Sequence, residues 1–558
     1  MSDKKISGVE KLALILPLLL IAPNIGLDFT DRLGFIGAIL NIITPLSAYM
    51  LLTSLWKRTG IVTLLMIPMM CFAGFQIVLL YLYGGSIIGV DMFLNVVTTN
   101  LTEVNELLGN LLIAIFIILI LYLPAIIYGI IYTVKKEYLG KEFRKKYFRM
   151  SLTAFAFSVT ITLLAQLCGS YRIDRDMFPV NIFKNLATAV KRTGDLSDYP
   201  VTSAGFTYDA EPAGNDSIRE IYVMVIGETG RAADWSLGKY NRETNPKLSA
   251  NSNLVYFPYT LSESNTTHKS VPLMISPLNG KTFGEIGRYK SALTLFKEAG
   301  FKTSFFSNQQ RNKSYTEFFA DEADNVVYLS DLDVRPIDGE LINLLKKQLA
   351  DTSATKQFII LHTYGSHFKY KDRYPDGFGR FFPDDAADAN KGNRDKLINA
   401  YDNTILYADS CLNEIYNSIN LPDTRSAMIY ATDHGEDIFD DSRNRFLHAS
   451  IVPTYYQLHI PMLVAVSDYL RESGSEILGI LKENSGKQVS STSSFYNTIV
   501  DISGIRTPYI DRHKSLASRS YSEPERVFIT DRNEAVTLQE AGILEKDKEK
   551  FREYGLKY

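Results

Sequence analysis

The chain has 558 residues, with 59 Lys and Arg against 62 Asp and Glu and a formal net charge of -3. That length admits several domains, and a balanced charge without a basic stripe in the second half gives no footing for a nucleic-acid partner. Only three cysteines occur, Cys71, Cys168 and Cys411, and none forms a CxxC pair, so a disulfide framework and a thiolate metal site are both excluded.

The first 168 residues are dominated by apolar runs. Five of them reach the length needed to cross ~30 Å of hydrocarbon, or approach it with tilt. They run over Leu12–Ile25 (extended to Phe29), Leu33–Trp56, Ile61–Tyr83, Leu111–Val134 and Ser151–Cys168. Lys4 and Lys5 before the first run imitate a signal peptide, but four more apolar runs and the lack of a small-residue cleavage site point to a retained span. Lys57 and Arg58 mark the second loop, and Lys135, Lys136, Lys141, Arg144, Lys145, Lys146 and Arg149 crowd the fourth. The third loop, Gly84 to Asn110, has Asp91, Glu103 and Glu106 but no Lys or Arg. The positive-inside rule therefore predicts a cytoplasmic N-terminus and, after five spans, an outward-facing remainder. Within the third loop Asn95, Thr99 and Glu103 fall at i, i+4 and i+8, one helical face that either faces water or holds a lipid headgroup.

Residues 169–218 read as a connector. Arg172, Arg175 and Lys184 interleave with Met177, Phe178, Ile182, Phe183 and Leu186, a pattern suited to the membrane interface, and Gly214-Asn215-Asp216-Ser217 marks a boundary. From Ile218 onward, strand-like runs at Ile221–Ile226, Leu254–Tyr259, Lys302–Phe306, Asn325–Leu329, Phe358–His362, Ala427–Ala431 and Pro461–Val466 alternate with helical stretches such as Ser291–Ala299 and Asn393–Ile419. This predicts an α/β domain on a mostly parallel sheet over 219–558, following a five-helix transmembrane domain over 1–168.

Ligands of such folds gather beyond the carboxyl ends of the strands. Three predicted strands end in reactive residues: Gly227-Glu228-Thr229-Gly230, Thr363-Tyr364-Gly365-Ser366-His367 and Thr432-Asp433-His434-Gly435-Glu436. Asp433 and His434 would face opposite sides of a strand, so both reach one ion only on irregular backbone, which Gly435 permits. An O/N donor set suits zinc, with manganese as the alternative. Taken singly, the Asp-His pair reads as a turn, His367 as a loop residue, His448 as a half-buried histidine and Thr267 as a loop hydroxyl. Their joint placement after strands is what changes the reading.

In combination these motifs resemble the phosphoethanolamine transferases of the alkaline-phosphatase/sulfatase superfamily, which include lipid A-modifying and mobile colistin-resistance enzymes. The resemblance is carried by Val225-Ile226-Gly227-Glu228-Thr229-Gly230-Arg231 followed by Tyr240-Asn241-Arg242-Glu243-Thr244-Asn245-Pro246, and by Asn265-Thr266-Thr267-His268-Lys269-Ser270-Val271-Pro272. His362-Thr363-Tyr364-Gly365-Ser366-His367, Tyr401-Asp402-Asn403-Thr404-Ile405, Thr432-Asp433-His434-Gly435-Glu436 and His448 complete it. The resemblance implies Thr267 as nucleophile, and one or two zinc ions with Glu228, Thr267, Asp433 and His434 as ligands. It implies that His367 and His448, supported by Glu436, bind the phosphoryl group or a second ion and act in catalysis. It assigns Asn95, Thr99 and Glu103 to the donor headgroup. The chain departs from the family where Glu263 and Leu273 stand at the positions of a disulfide beside the nucleophile, and where Phe306-Ser307-Asn308-Gln309-Gln310 replaces a Trp-Asp-Asn-Gln stretch.

The implied reaction moves phosphoethanolamine from phosphatidylethanolamine to Thr267 and then to an envelope acceptor, lipid A or lipopolysaccharide, with core heptose, a periplasmic glucan or a protein left open. The implied setting is a monomer in a bacterial inner membrane, multi-pass, with its catalytic domain in the periplasm. Two rivals are a lipoteichoic-acid-synthase-like glycerol-phosphate transferase and a non-catalytic membrane scaffold. No Cys-x-Pro-x-Arg motif is present to make a formylglycine, which disfavours a sulfatase activity.

Overall fold

The structure is a computed structural model describing residues 6–30, 33–83, 87–98, 101–213, 218–386 and 388–558; for 83, 95–98 and 101–110 it describes the backbone alone. Thr99 and the side chains of Asn95 and Glu103 therefore lie outside the described residues, as does the boundary at 214–217. The chain divides into two compact units. One comprises Met1–Val97, Leu107–Lys191 and Arg443–Arg445, and the other Thr98–Glu106, Arg192–Ser442 and Phe446–Tyr558.

The longer helices of residues 8–197, which make up most of the first unit, are α1 (Gly8–Leu20), α2 (Ala22–Asp28), α3 (Phe35–Leu55), α4 (Thr59–Leu65), α5 (Ile67–Tyr83), α6 (Val90–Thr98), α7 (Leu101–Val134), α8 (Lys141–Leu167) and α9 (Val180–Ser197). Among the described residues, four helices are long and apolar enough to cross a membrane, or five if the pair α4 and α5, bent by 51°, counts as one span. The last span starts earlier than its apolar run, because the basic stretch from Lys141 is already helical and continues into it. Along α7, Leu112, Ile113, Phe116 and Ile120 are exposed, as a lipid-facing surface would be. Between α3 and α8 the seam is polar and small: Thr44 Oγ1 meets Thr162 Oγ1 at 2.8 Å, and Ser47 Oγ meets Ser158 Oγ at 2.9 Å. Such hydroxyls let helices approach closely and satisfy one another where water is absent.

The second unit is built on a seven-stranded sheet. Its strands are β1 (Arg219–Gly227), β2 (Leu254–Tyr256), β3 (Lys302–Ser307), β4 (Asn325–Tyr328), β5 (Lys356–His362), β6 (Thr424–Thr432) and β7 (Met462–Val466). Their spatial order is β2-β7-β6-β1-β5-β3-β4, with β7 antiparallel to both its neighbours and the other pairings parallel. All seven predicted strands are present. The second is shorter than its apolar run, ending before Pro258, whose ring offers no N–H to a ladder. Ile221 to Ile226 are fully buried, as expected for a central strand covered on both faces. Tyr222, Met224 and Ile226 join Phe296, Phe358, Ile360, Ile429 and Val464 in the larger core cluster.

The register decides where the chemistry falls. Ile226 pairs with His362 on one side and Ala431 on the other, so β1, β5 and β6 end flush. The residues that follow them emerge side by side. Two helices matter for the site: α10 (Thr267–Met274), whose first residue faces that rim, and α11 (Arg394–Ile419), which supplies Tyr401 and Asp402.

Candidate active site

Glu228 leaves β1, and Asp433 and His434 leave β6, while Thr267 is the first residue of α10. The four side chains meet. Thr267 Oγ1 lies 3.2 Å from each Glu228 carboxylate oxygen and 3.1 Å from His434 Nε2. His434 Nε2 is 3.5 Å from Glu228 Oε1 and 3.2 Å from Asp433 Oδ2. Ligands held at ~2.1 Å around a tetrahedral ion stand about 3.4 Å apart, so this spacing fits a zinc-sized cation.

Hydrogen bonding around the cluster aims its donor atoms inward. Asp433 Oδ1 accepts from Thr229 N at 3.2 Å and from His434 N at 2.8 Å, while Oδ2, fully buried, has no hydrogen bond of good geometry among the described residues and faces the Thr267 hydroxyl and His434 Nε2. His434 Nδ1 lies 3.0 Å from Gly435 O, which requires Nδ1 to carry the proton and leaves the Nε2 lone pair facing Thr267 and Asp433. Burial drives the Asp433 carboxyl upward and the His434 imidazole downward, with the neighbouring His448 adding to the latter. A buried acid with an unmatched oxygen beside an imidazole lone pair is an arrangement that a cation completes.

The backbone from Asp433 to Glu436 is irregular, as expected, but Gly435 plays a different part in it. Gly435 does not take the left-handed region; it is needed for space, because a Cβ there would stand 2.2 Å from Tyr456 O and 2.8 Å from Arg231 Cβ. The left-handed glycine is Gly365 (φ +53°), where a Cβ would meet Glu228 O at 2.5 Å. Asp338 holds this loop by accepting from Tyr364 N at 2.8 Å and Gly365 N at 3.0 Å.

His448 sits between Leu447 (φ +67°) and Ala449 (φ +65°), a backbone that non-glycine residues adopt only when their surroundings impose it. Its ring centroid is 4.2 Å from that of His434 and 6.0 Å from that of His367. Nδ1 of His448 is 3.6 Å from Glu436 Oε2, and among the described residues the carboxylate of the fully buried Glu436 has the His448 and Tyr370 side chains nearby and no hydrogen bond of good geometry. Glu228, His434 and His448 also offer donor atoms within 4.8 Å of one another. Burial, then the charge of Arg373 and the neighbouring His448, pushes His367 down to about 3. The structure thus brings Glu228, Thr267, Asp433, His434, His448, Glu436 and His367 into one region.

Gln309, Tyr401 and Thr267 all stand in stretches named above, but three of their roles were not legible in the sequence. Gln309, just past β3, donates to Glu228 Oε2 at 3.3 Å and Thr363 O at 2.9 Å, a position that the rule of polar residues after strands would have found. Tyr401 donates to Thr229 O at 2.7 Å and accepts from Arg231 N at 2.9 Å, clamping the turn after β1. Thr267 heads a helix, so α10 directs its amino-terminal dipole toward an anion at the hydroxyl; the polar run of Ser264, Asn265 and Thr266 before it is a helix-start signal in the sequence, although the Thr266 side chain does not cap α10.

The sulfatase family profile matches residues 220–505, which takes in β1 to β7 and every residue of this cluster. The chain belongs to the sulfatase family. Among curated sulfatase-fold relatives, the phosphoethanolamine transferase EptA of Salmonella typhimurium is 30% identical over 304 residues, covering 52% of this chain and 54% of its own length. The chain thus spans about half the length of the curated relatives it matches. Among solved structures, the integral membrane lipooligosaccharide phosphoethanolamine transferase A of Neisseria meningitidis superposes with a TM-score of 0.73 at 20% identity, over 91% of this chain and 98% of that one. The periplasmic domain of EptC from Escherichia coli, determined as a zinc complex, superposes at a TM-score of 0.53 and 24% identity over 60% of this chain and 96% of its own. The resemblance read from the motifs is borne out at the level of family and fold.

Proposed function

We propose that this protein is a multi-pass inner-membrane phosphoethanolamine transferase, with its sulfatase-like domain in the periplasm. The donor is phosphatidylethanolamine and the acceptor an envelope glycolipid carrying lipid A phosphate. The observation that carries the reading is the meeting of the Thr267 hydroxyl with Glu228 and His434 at the start of α10, within 3.2 Å. The names of the relatives support the group transferred, and the Lys and Arg distribution of the short loops supports the orientation.

Glu228, Asp433, His434 and the Thr267 oxygen would hold a zinc ion. Bound there, the ion supplies Lewis acidity, lowering the cost of deprotonating the threonine hydroxyl and offsetting phosphoryl charge. Thr267 Oγ attacks phosphorus, a new P–O bond forms, and the bond to the diacylglycerol oxygen breaks. The proton given up by the Thr267 hydroxyl goes to that oxygen, with the imidazoles of His367 and His448 as the groups proposed to relay it. The two imidazoles and the α10 amino terminus face the equatorial oxygens as charge accumulates on them. An acceptor oxygen then attacks phosphorus from the opposite side and releases Thr267. Asn95, Thr99 and Glu103 hold the donor headgroup in this reading.

Full-length protein in detergent, given labelled phosphatidylethanolamine, should release diacylglycerol, and Thr267→Ala should not. Equal release from phosphatidylglycerol, or undiminished release by the Ala variant, would overturn the reading.

A further inference from the structure

Two charged side chains flank the nucleophile turn, and both are buried. Glu263, four residues before Thr267, is 5% exposed, and Lys269, two residues after it, is 1% exposed. Charged groups leave water at a high cost unless their surroundings satisfy them, so their partners show what they are for. Glu263 Oε2 accepts from Gly280 N at 2.7 Å and from Thr492 Oγ1 at 2.5 Å. Its main-chain oxygen accepts from Ile529 N at 2.7 Å. Lys269 Nζ donates to the next residue's oxygen, Thr530 O, at 2.6 Å.

Residues on either side of Thr267 therefore grip consecutive residues of one hairpin, formed by β8 (Val527–Ile529) and β9 (Ala535–Thr537). Gly280 closes the assembly: a Cβ there would stand 3.2 Å from Glu263 Oε2, 3.1 Å from a Val527 methyl and 3.2 Å from an Ile529 side-chain carbon. Arg526 ties the base of the hairpin down, donating to Tyr259 O at 2.8 Å and Gln488 Oε1 at 2.9 Å. Phe528 is packed with Leu261, Tyr455 and Leu458 in the smaller core cluster and Ile529 belongs to the larger one, so the hairpin is anchored in both. It lies beyond residue 505, outside the segment that the sulfatase profile matches.

We infer that Glu263 and Lys269 are positioning residues, which clamp the Thr267 turn onto the β8–β9 hairpin and so make the C-terminal segment part of what sets the rate of transfer. The physical reason is geometric. A nucleophile at the first residue of a short helix is only as well placed as the ends of its turn, and a misplacement of about 1 Å costs on the order of 100-fold in rate. Neither residue touches the reacting atoms. The inference rests on the transferase reading for its kinetic consequence, though the clamp itself does not.

The test compares Lys269→Met, Glu263→Leu and Glu263→Gln in the full-length protein, by diacylglycerol release and by hydrogen exchange. Lys269→Met and Glu263→Leu should lower kcat about 10- to 100-fold with the donor KM within about twofold, because the site is loosened while donor binding is untouched. Glu263→Gln keeps an oxygen that accepts from Gly280 and Thr492, and should recover most of what Glu263→Leu loses. Amides of 264–270 should exchange at least about tenfold faster in Lys269→Met, with the sheet unchanged. Wild-type kcat, or exchange that is unchanged or raised across the whole domain, would overturn the clamp. If the wild type itself releases no diacylglycerol, the transferase reading fails, and the exchange comparison still decides the clamp.

Discussion

Two buried acids stand on opposite sides of Thr267 and are treated differently by their surroundings. Behind it, Glu263 takes hydrogen bonds from Gly280 and Thr492. In front, Asp433 keeps one oxygen without a hydrogen bond of good geometry among the described residues, beside a histidine whose lone pair faces the same point. Both acids are removed from water, and burial raises the pKa of each. The difference lies in what completes them: Glu263 is finished by the protein, whereas Asp433 calls for a cation. A satisfied buried carboxylate holds structure, and an unsatisfied one marks where something binds.

The comparison breaks most sharply under the same chemical change at both places. Asp433→Asn keeps the shape but removes a ligand oxygen, so bound zinc, measured by elemental analysis, and donor cleavage should both fall at least about 100-fold. Glu263→Gln should cost only a few-fold. Equal effects would erase the distinction.

Smaller, and on the cation side, is Gln309→Leu. It removes the amide that orients Glu228 without removing a ligand, so zinc affinity should fall about 10-fold while the protein stays folded. A zinc titration that matches wild type would mean that Glu228 needs no such support.

The smallest effect belongs to the satisfied class. His459 is held neutral by burial between Tyr455 OH at 2.6 Å and Pro258 O at 2.8 Å, with its pKa lowered from 6.5 to about 4. A histidine whose folded pKa lies below its unfolded one contributes fully above pH 6.5. As pH falls toward about 4, only the unfolded chain takes up the proton and that stability is lost. Urea unfolding at pH 7.5 and 4.5 should therefore show a steeper loss in wild type than in His459→Gln, with zinc-dependent activity at pH 7.5 little changed between them.

Much of this was legible in the chain. The central strands announced themselves as apolar runs, because a strand covered on both faces needs near-continuous Val, Ile and Phe, as in Ile221–Ile226, and the outer ones as shorter β-branched or aromatic runs. The strand ends carried Glu228, His367, Asp433 and His434 because a flush register places whatever follows each strand in one place. What stayed hidden was non-local. Asp338 holds the Tyr364–Gly365 turn from a distant segment, and the grip of Ile529 and Thr530 on the Thr267 turn spans more than half of the second unit. No periodicity or motif records such pairings. Gly435 was noticed for the wrong reason, since a sequence shows that a glycine is present but not whether its freedom or its small size is used.

The central claim is that one hydroxyl carries the group between donor and acceptor. The most direct measurement is peptide mass spectrometry of full-length protein quenched after exposure to phosphatidylethanolamine without acceptor. The account predicts a phosphoethanolamine adduct on Thr267, absent from Thr267→Ala and discharged when acceptor lipid is added. An adduct on Thr229 or Thr266, or turnover with no adduct on the enzyme at any time, would contradict it.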